Sequence, residues 1–587
     1  MKKFVSILLC ILLMLSLSVT AFATDTTTVT INDSVTTRTF YGYQLLTLTV
    51  SPKIGEHYTG TCLYHEDLDE FNEHSDAHSD TCYNYAYAIP DNSKYLNILK
   101  EETYGHADET VLGDANSRPA SAGLVTVEQI KLYLSKQDSS SMLSVARRLY
   151  AAISAADPAI NKDATITTAD EDCEIAQGYW LFVDVTEMDD GENAAHSLIV
   201  VDTAGDTELT ITPKATLPAF TLGVQDLDDT AAGMNILQQE WKEAADHDIG
   251  DQFPVRMTAT VPAEAAGYDS YKMVFHATLS EGLTAVPIAL NTATSNPNFI
   301  VKLYPSMANL NSNRDMGNGV DITNYFDFVY DNDNTNNNIT IAFKTGKDLK
   351  ALVANGLPVT GDSVIAVYFE AKLNDGAKIS NLKTLTDTSQ INIGNPITAY
   401  LEFSNDPVDS DNFGKTPAAT ASVFTYKLQI NKIDNHGHEL EGAAFKLYKK
   451  NYDSQNHEVV LTEVTMDTPA GNATIFTWTG LDDGEYQLVE ETAPDGYNKI
   501  DPMNFTIYGE FGNVGGNPAL ATLSGGTFGM GDAKTGVLAA DVVNNTGSVL
   551  PETGGEGTML LVACGTLFVI LAGVFMITRK KMSIYED

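Results

Sequence analysis

The chain has 587 residues, enough for three or four domains of ordinary size, each with its own core. Hydrophobic residues make up 43% and charged residues 19%, which excludes a disordered tail and a multi-span membrane protein. With 35 basic against 78 acidic side chains the formal net charge is −43, a field that repels phosphate backbones and excludes nucleic-acid binding.

Residues 1–23 carry Lys2 and Lys3, an apolar run from Phe4 to Leu17, and Ala21-Phe22-Ala23. A charged start, a short apolar middle and small residues two apart describe a secretory signal cleaved after Ala23. Beyond it the sequence runs in short alternating segments broken by Gly, Asn and Asp, which predicts an all-β protein of tandem β-sandwich domains. Helical spacing is local, around Val127–Ala155. Pro-bearing junctions at Thr212–Pro218 and around Pro417 divide the chain into 24–217, 218–423 and 424–549, with a tail over 550–587.

Five cysteines are too few for a disulfide-built scaffold. Cys62-Leu63-Tyr64-His65 and His78-Ser79-Asp80-Thr81-Cys82 lie in an acidic insert of the first segment. Their spacing fits a tetrahedral zinc site, but in an exported protein a disulfide between Cys62 and Cys82 is simpler, and pairing through Cys173 is a third arrangement. No metal and no cofactor is expected. Asp331-Asn332-Asp333-Asn334-Thr335 lacks the glycine and glutamate of a calcium loop and is read as a polar loop.

The third segment carries the clearest chemistry. Phe424, Tyr426, Leu428, Ile430 and Lys432 share one strand face, as do Tyr486, Leu488 and Glu490, and Leu538, Ala540, Val542 and Asn544. Three strands each end an apolar face with one polar group. A lone buried charge is costly, so these groups are expected to meet or neutralise. Desolvation lowers a lysine pKa and raises a glutamate pKa, leaving a neutral amine beside a protonated acid. Such an amine is a nucleophile, and the acid polarises the asparagine carbonyl; loss of ammonia would leave a Lys–Asn isopeptide bond. In the chain-entropy model, closing a loop of about 100 residues is worth roughly 4.7 kcal/mol.

The tail orders Leu550-Pro551-Glu552-Thr553-Gly554, 21 uncharged residues from Thr558 to Thr578, and Arg579-Lys580-Lys581. The apolar stretch is long enough to span a bilayer, and the basic cluster holds its end in the cytoplasm. This order resembles the sorting signal of Gram-positive surface proteins, in which a sortase cysteine attacks the threonine carbonyl, here Thr553, and releases Gly554 onward. The acyl-enzyme then passes to an amine.

Ile430–Asp434 and Leu440–Phe445 resemble the first strands of collagen-adhesin B-type domains, and Tyr486–Tyr497 is similar to the "E-box" of Gram-positive pilins. The resemblance implies Lys432 and Asn544 as the bonded pair and Glu490 as the catalytic acid of this autocatalytic step; by strand alternation Glu491 points to the opposite face and is expected to be solvated. Asn545 shares its face with Asp541 and is the weaker rival. Trp241–Asp251, Phe275–Leu283 and Gly394–Asp406 resemble the fimbrial isopeptide-forming domain. Where that family has its Lys, Asp and Asn, this chain has Leu222, Ala277 and Ile397, so no cross-link is expected there; a shift of register would bring Asn395 into play. Tyr41–Leu46, Gly178–Asp184 and Ile211–Lys214 resemble the N-terminal domain of the same pilins, which implies Lys214 as the acceptor lysine.

The resemblance implies tandem immunoglobulin-like sandwiches and the structural backbone subunit of a sortase-assembled pilus, secreted and covalently anchored to the Gram-positive wall. Thr553 of one subunit would join Lys214 of the next. The implied partners are sortase, identical subunits, minor pilins and peptidoglycan. The alternatives are a basal pilin that is never polymerised and a wall-anchored adhesin that binds a surface ligand. No Gly-x-Ser-x-Gly elbow, phosphate loop or His-Glu-x-x-His occurs, so the chain is not read as an enzyme.

Overall fold

In the computed structural model the strand Gly178–Asp184 is buried along its whole length because both of its faces are covered. Tyr179, Leu181 and Val183 face helices, packing with Leu99, Ile130 and Leu149. Trp180 and Phe182 face a small sheet and pack with Val29, Ile175 and Ile211. The structure describes residues 26–582 except 33–36, 54–57, 66–69, 79–81, 91–92, 169–172, 189–190, 205, 207, 214–215, 227–240, 287–298, 313–318, 334–335, 410, 454–457, 468–472 and 547–555; over 49–86 it describes strand backbone alone.

Gly178–Asp184 pairs with the long Thr39–Lys53 strand inside a seven-stranded sheet, and Thr26–Ile31 joins Glu208–Ile211 and Cys173–Ala176 in the three-stranded one. The helical spacing around 127–155 resolves into two helices, Val127–Ser135 and Ser139–Ser154. Thr126 and Gln129 close the first with a capping box, and Asp138 caps the second by accepting from the Ser141 N–H at 2.8 Å. Helices Leu96–His106 and Glu109–Leu112 were not legible, since the first is flanked by no capping residue and carries few apolar positions. Glu102 ties the helices together, accepting from Tyr133 Oη and Arg148 Nη2 at 2.7 Å each.

The middle unit is a sandwich of two seven-stranded sheets. Gln252–Thr260 and Val364–Leu373 form the centre of one sheet, and Met273–Leu279 and Asn395–Ser404 the centre of the other. Phe253, Phe275, Ile341, Phe369 and Leu401 fill the space between them. The C-terminal unit faces a three-stranded sheet, with Tyr426–Asp434 between Ile475–Leu481 and Val537–Asn544, against a five-stranded sheet that holds Ala444–Asp453 and Gly484–Thr492. Trp478, Leu428, Leu488 and Ile507 are central to its core.

Both junctions are closely packed. Between the first and middle units, Arg147 meets Asp269 at 3.2 Å, and the His196 N–H donates to Asn405 O at 2.8 Å. Between the middle and C-terminal units, Ala244–Asp246 runs parallel to residues 422–424, after which His247 N donates to Phe424 O at 3.1 Å and Ile249 N to Gly480 O at 3.0 Å. Within the C-terminal unit, Gly509 leaves room for Tyr426, whose Oη a Cβ at that position would meet at 1.9 Å.

The final helix, Glu556–Met582, exposes Val562, Phe568, Ile570 and Phe575. Its described side chains run continuously only from Val562 to Met576, and among the described residues no helix is long and apolar enough to cross a membrane.

His247 supplies a pH test of the second junction. Its ring is buried, stacks on Phe253 at 4.5 Å, and places Nε2 2.9 Å from Gln225 O. Burial holds its pKa down at about 4, below the ordinary 6.5. The unfolded chain therefore binds the extra proton between those values, and stability falls as pH drops through that window, by about 3 kcal/mol in all. His247→Phe should remove this loss. Thermal midpoints of both chains at about pH 7 and about pH 4 check it, and equal acid losses in the two would refute it.

Candidate functional site

Strand alternation builds the site. Lys432 continues the buried face of Tyr426, Leu428 and Ile430, Asn544 that of Leu538 and Val542, and Glu490 that of Tyr486 and Leu488. The first two strands are parallel neighbours, with Lys432 opposite Val542 and Asp434 opposite Asn544, so Lys432 and Asn544 stand two residues apart along one face. Glu490 belongs to the other sheet, paired with Phe445. All three side chains have 0% exposure.

Asn544 Nδ2 donates to Glu490 Oε1 at 2.9 Å and to Oε2 at 3.2 Å, and the Ile500 N–H donates to Oε2 at 2.9 Å. Lys432 Nζ donates to Val542 O at 2.9 Å and to Ile433 O at 3.3 Å. Burial lowers the Lys432 pKa, and the field of Glu490 opposes that shift. Asn544 Oδ1 is buried without a hydrogen-bond partner. One sandwich interior thus holds a desolvated amine, a carboxamide and a carboxyl group, but Glu490 meets the amide nitrogen rather than the carbonyl oxygen that it is expected from the sequence to polarise. Asn545 and Asp541 are exposed, as is Glu491, which lies 3.6 Å from Lys446 Nζ.

In the middle unit Leu222, Ala277 and Ile397 are all buried in the apolar core. Asn395 is buried too, but its amide is engaged with backbone: Oδ1 accepts from Lys378 N at 2.8 Å, and Nδ2 donates to Lys378 O and Val423 O at 3.1 Å each. It ties the loop at Lys378 to the strand at Val423. Lys214 and the Leu550–Gly554 motif lie outside the described residues, and so do the side chains of Cys62 and Cys82; the backbone register sets Cys82 opposite His65. Cys173 Sγ lies 3.8 Å from Thr165 O. Asp331–Asp333 ends a strand paired with Asn336–Phe343.

Sequence reasoning missed a second buried lysine. Lys449 follows Phe445 and Leu447 on an inward face, the same period-two signal that marks Lys432. Its partners Asp248 and Asp482 come from distant segments, which no local pattern connects.

Comparison with known proteins gives two family matches. Residues 426–513 match the SpaA prealbumin-like fold domain, and residues 542–583 match the LPXTG cell wall anchor motif. The chain thus carries a SpaA-type domain and a cell-wall anchoring signal. No curated protein matches it. Among solved structures it is similar to the T6 backbone pilin of serotype M6 Streptococcus pyogenes at 14% identity and a TM-score of 0.42, covering 89% of this chain and 99% of that one. It is also similar to the major pilin SpaD from Corynebacterium diphtheriae at 16% identity and a TM-score of 0.37, covering 67% and 87%. The Corynebacterium diphtheriae major pilin SpaA gives 13% identity and a TM-score of 0.37, covering 66% and 85%.

Proteolytic peptides of the full chain should include one joining Lys432 to Asn544, lighter by one ammonia than its linear parts. Lys432→Ala should abolish it and destabilise the chain by roughly 4 kcal/mol. Mass spectrometry and thermal unfolding check this; a cross-link through Asn395 would refute the placement of the middle-unit residues.

Proposed function

We propose that this chain is the backbone subunit of a covalently polymerised pilus on a Gram-positive surface, divided into units at 24–217, 218–423 and 424–549. The observation that carries the reading is the buried arrangement of Lys432, Asn544 and Glu490 in a SpaA-type domain, followed by a cell-wall anchor motif. A shaft subunit bears load along its chain, and a covalent tie between the first and last strands of a sandwich resists their separation.

The internal tie forms without an outside reagent. The Lys432 amine, whose proton burial loosens, attacks Cγ of Asn544 in its neutral form. Glu490, already on Nδ2, relays a proton from the amine to that nitrogen, which leaves as ammonia. One N–C bond replaces another and nothing turns over, so the protein is its own single-use substrate rather than an enzyme.

Assembly needs sortase, other copies of the chain and peptidoglycan. Sortase cleaves between Thr553 and Gly554 and passes the threonyl carbonyl to Lys214 of the next subunit. Two features support Lys214 as acceptor. Ile211 is buried in the first unit, whereas Thr216 Oγ1 bonds Glu264 of the middle unit at 3.2 Å, so the chain passes from one unit to the other within the short stretch of sequence that contains Lys214.

Immunoblots of wall extract boiled in SDS, from cells with the native chain or Lys214→Ala, test the reading. A high-mass ladder that collapses in the variant is expected. A ladder unchanged by the substitution would move the acceptor lysine, and a single band in both would replace the pilus subunit with a monomeric wall-anchored adhesin.

A further inference from the structure

The junction between the middle and C-terminal units holds a polar cluster outside the site already described. Lys449 Nζ, with a side chain 5% exposed, donates to Asp248 Oδ2 at 2.7 Å and to Asp482 Oδ2 at 3.2 Å. Asp248 belongs to the middle unit and stands 201 residues before Lys449. Its other oxygen, Oδ1, accepts from the backbone N–H of Asp482 at 2.8 Å. Carboxylate oxygens of Asp246, Asp482 and Asp483 lie within 4.8 Å of one another, and Asp246 Oδ2 also accepts from Tyr426 Oη at 2.5 Å.

Charge alone does not balance here. Asp248 and Asp482 meet the Lys449 amine, and Asp246 and Asp483 lie beside Asp482; Asp246, Asp482 and Lys449 are buried, so some of these carboxyl groups must keep their protons. Burial, reinforced by the neighbouring carboxylates, pushes Asp246 and Asp482 well above the usual carboxylate range. The result is an amine in contact with one carboxyl group and beside a second that is a proton carrier. The oxygen of the first carboxyl group that does not face the amine already holds a backbone N–H donor, which would stabilise negative charge developing there.

We propose that Lys449 and Asp248 condense into a second intramolecular amide, which joins the middle unit to the C-terminal unit and releases water. This extends to a new site the amide chemistry read into Lys432 and Asn544. The step balances within the site. A proton of the Lys449 ammonium crosses the 2.7 Å contact to Asp248 Oδ2, leaving a neutral amine beside a neutral acid. The amine attacks Cγ, and the charge that develops on Oδ1 is held by the Asp482 N–H. The Asp482 carboxyl relays the second amine proton to Oδ2, which departs as water. One N–C bond forms, one C–O bond breaks, and no electron is transferred. The Asp248 side chain, 27% exposed, gives the water a way out.

Peptide mapping of the full chain after denaturation and trypsin decides the matter. Condensation blocks cleavage after Lys449, so peptide 243–256 should appear joined to peptide 447–450 and lighter than their sum by one water. Lys449→Arg keeps the positive charge and should lose this species completely. Asp482→Asn keeps the volume and should slow its formation by roughly a hundredfold. Linear 243–256, with cleavage after Lys449, in a chain that still shows the ammonia-loss peptide of Lys432 and Asn544 would overturn the junction cross-link alone. Absence of both cross-links would overturn it together with the chemistry read at Lys432.

Discussion

Lys432 has no access to water and shares the inward face of its strand with Tyr426, Leu428 and Ile430 on one side and Asp434 on the other. An ammonium there would lose its hydration for two backbone carbonyls, so the core favours the amine form. The rest of the unit follows from that constraint. The parallel register brings a carboxamide from the last strand onto the same face, and the opposite sheet delivers a carboxyl group to the amide nitrogen. An arrangement of this kind is poor as a set of hydrogen bonds, since Asn544 Oδ1 is left without a donor.

The middle unit solves the same packing problem with hydrocarbon. Leu222, Ala277 and Ile397 lie within a continuous apolar core, and the nearby Asn395 spends its hydrogen bonds on backbone. Replacing a buried ionic group by apolar side chains of fitting shape is often neutral or stabilising, whereas losing one member alone leaves a charge stranded.

Between the units, polar groups are concentrated where segments distant in sequence meet. Asp246, Asp248 and Ile249 reach across to Tyr426, Lys449 and Gly480, while the segment around His196 reaches from the first unit to Asn405 and Asp406. Hydrogen bonds and buried ion pairs are directional, so they fix the orientation of each sandwich against the next in a way that apolar contact does not. The buried carboxyl groups at the second junction also make its protonation part of its structure.

The residues of the C-terminal site were legible because strands alternate with period two. A polar residue that continues an apolar face must point inward, and Lys432, Glu490 and Asn544 each did so within a few residues of their own sequence. The exposed Asn545 and Glu491 were separated from their buried neighbours by the same rule. The apolar character of the middle unit was legible for the same reason. The helices Leu96–His106 and Glu109–Leu112 were not, because packing against Leu149 and Leu181 stabilises a segment whose own pattern is weak. Lys449 carried the inward signal, yet its meaning depended on Asp248 and Asp482. The sequence by itself determined which side chains leave water, since burial follows from local alternation. Only the tertiary structure decided which of them meet, because contact across 54 residues at Glu490 and Asn544, or 201 at Asp248 and Lys449, is set by sheet pairing and by the packing of one unit on the next.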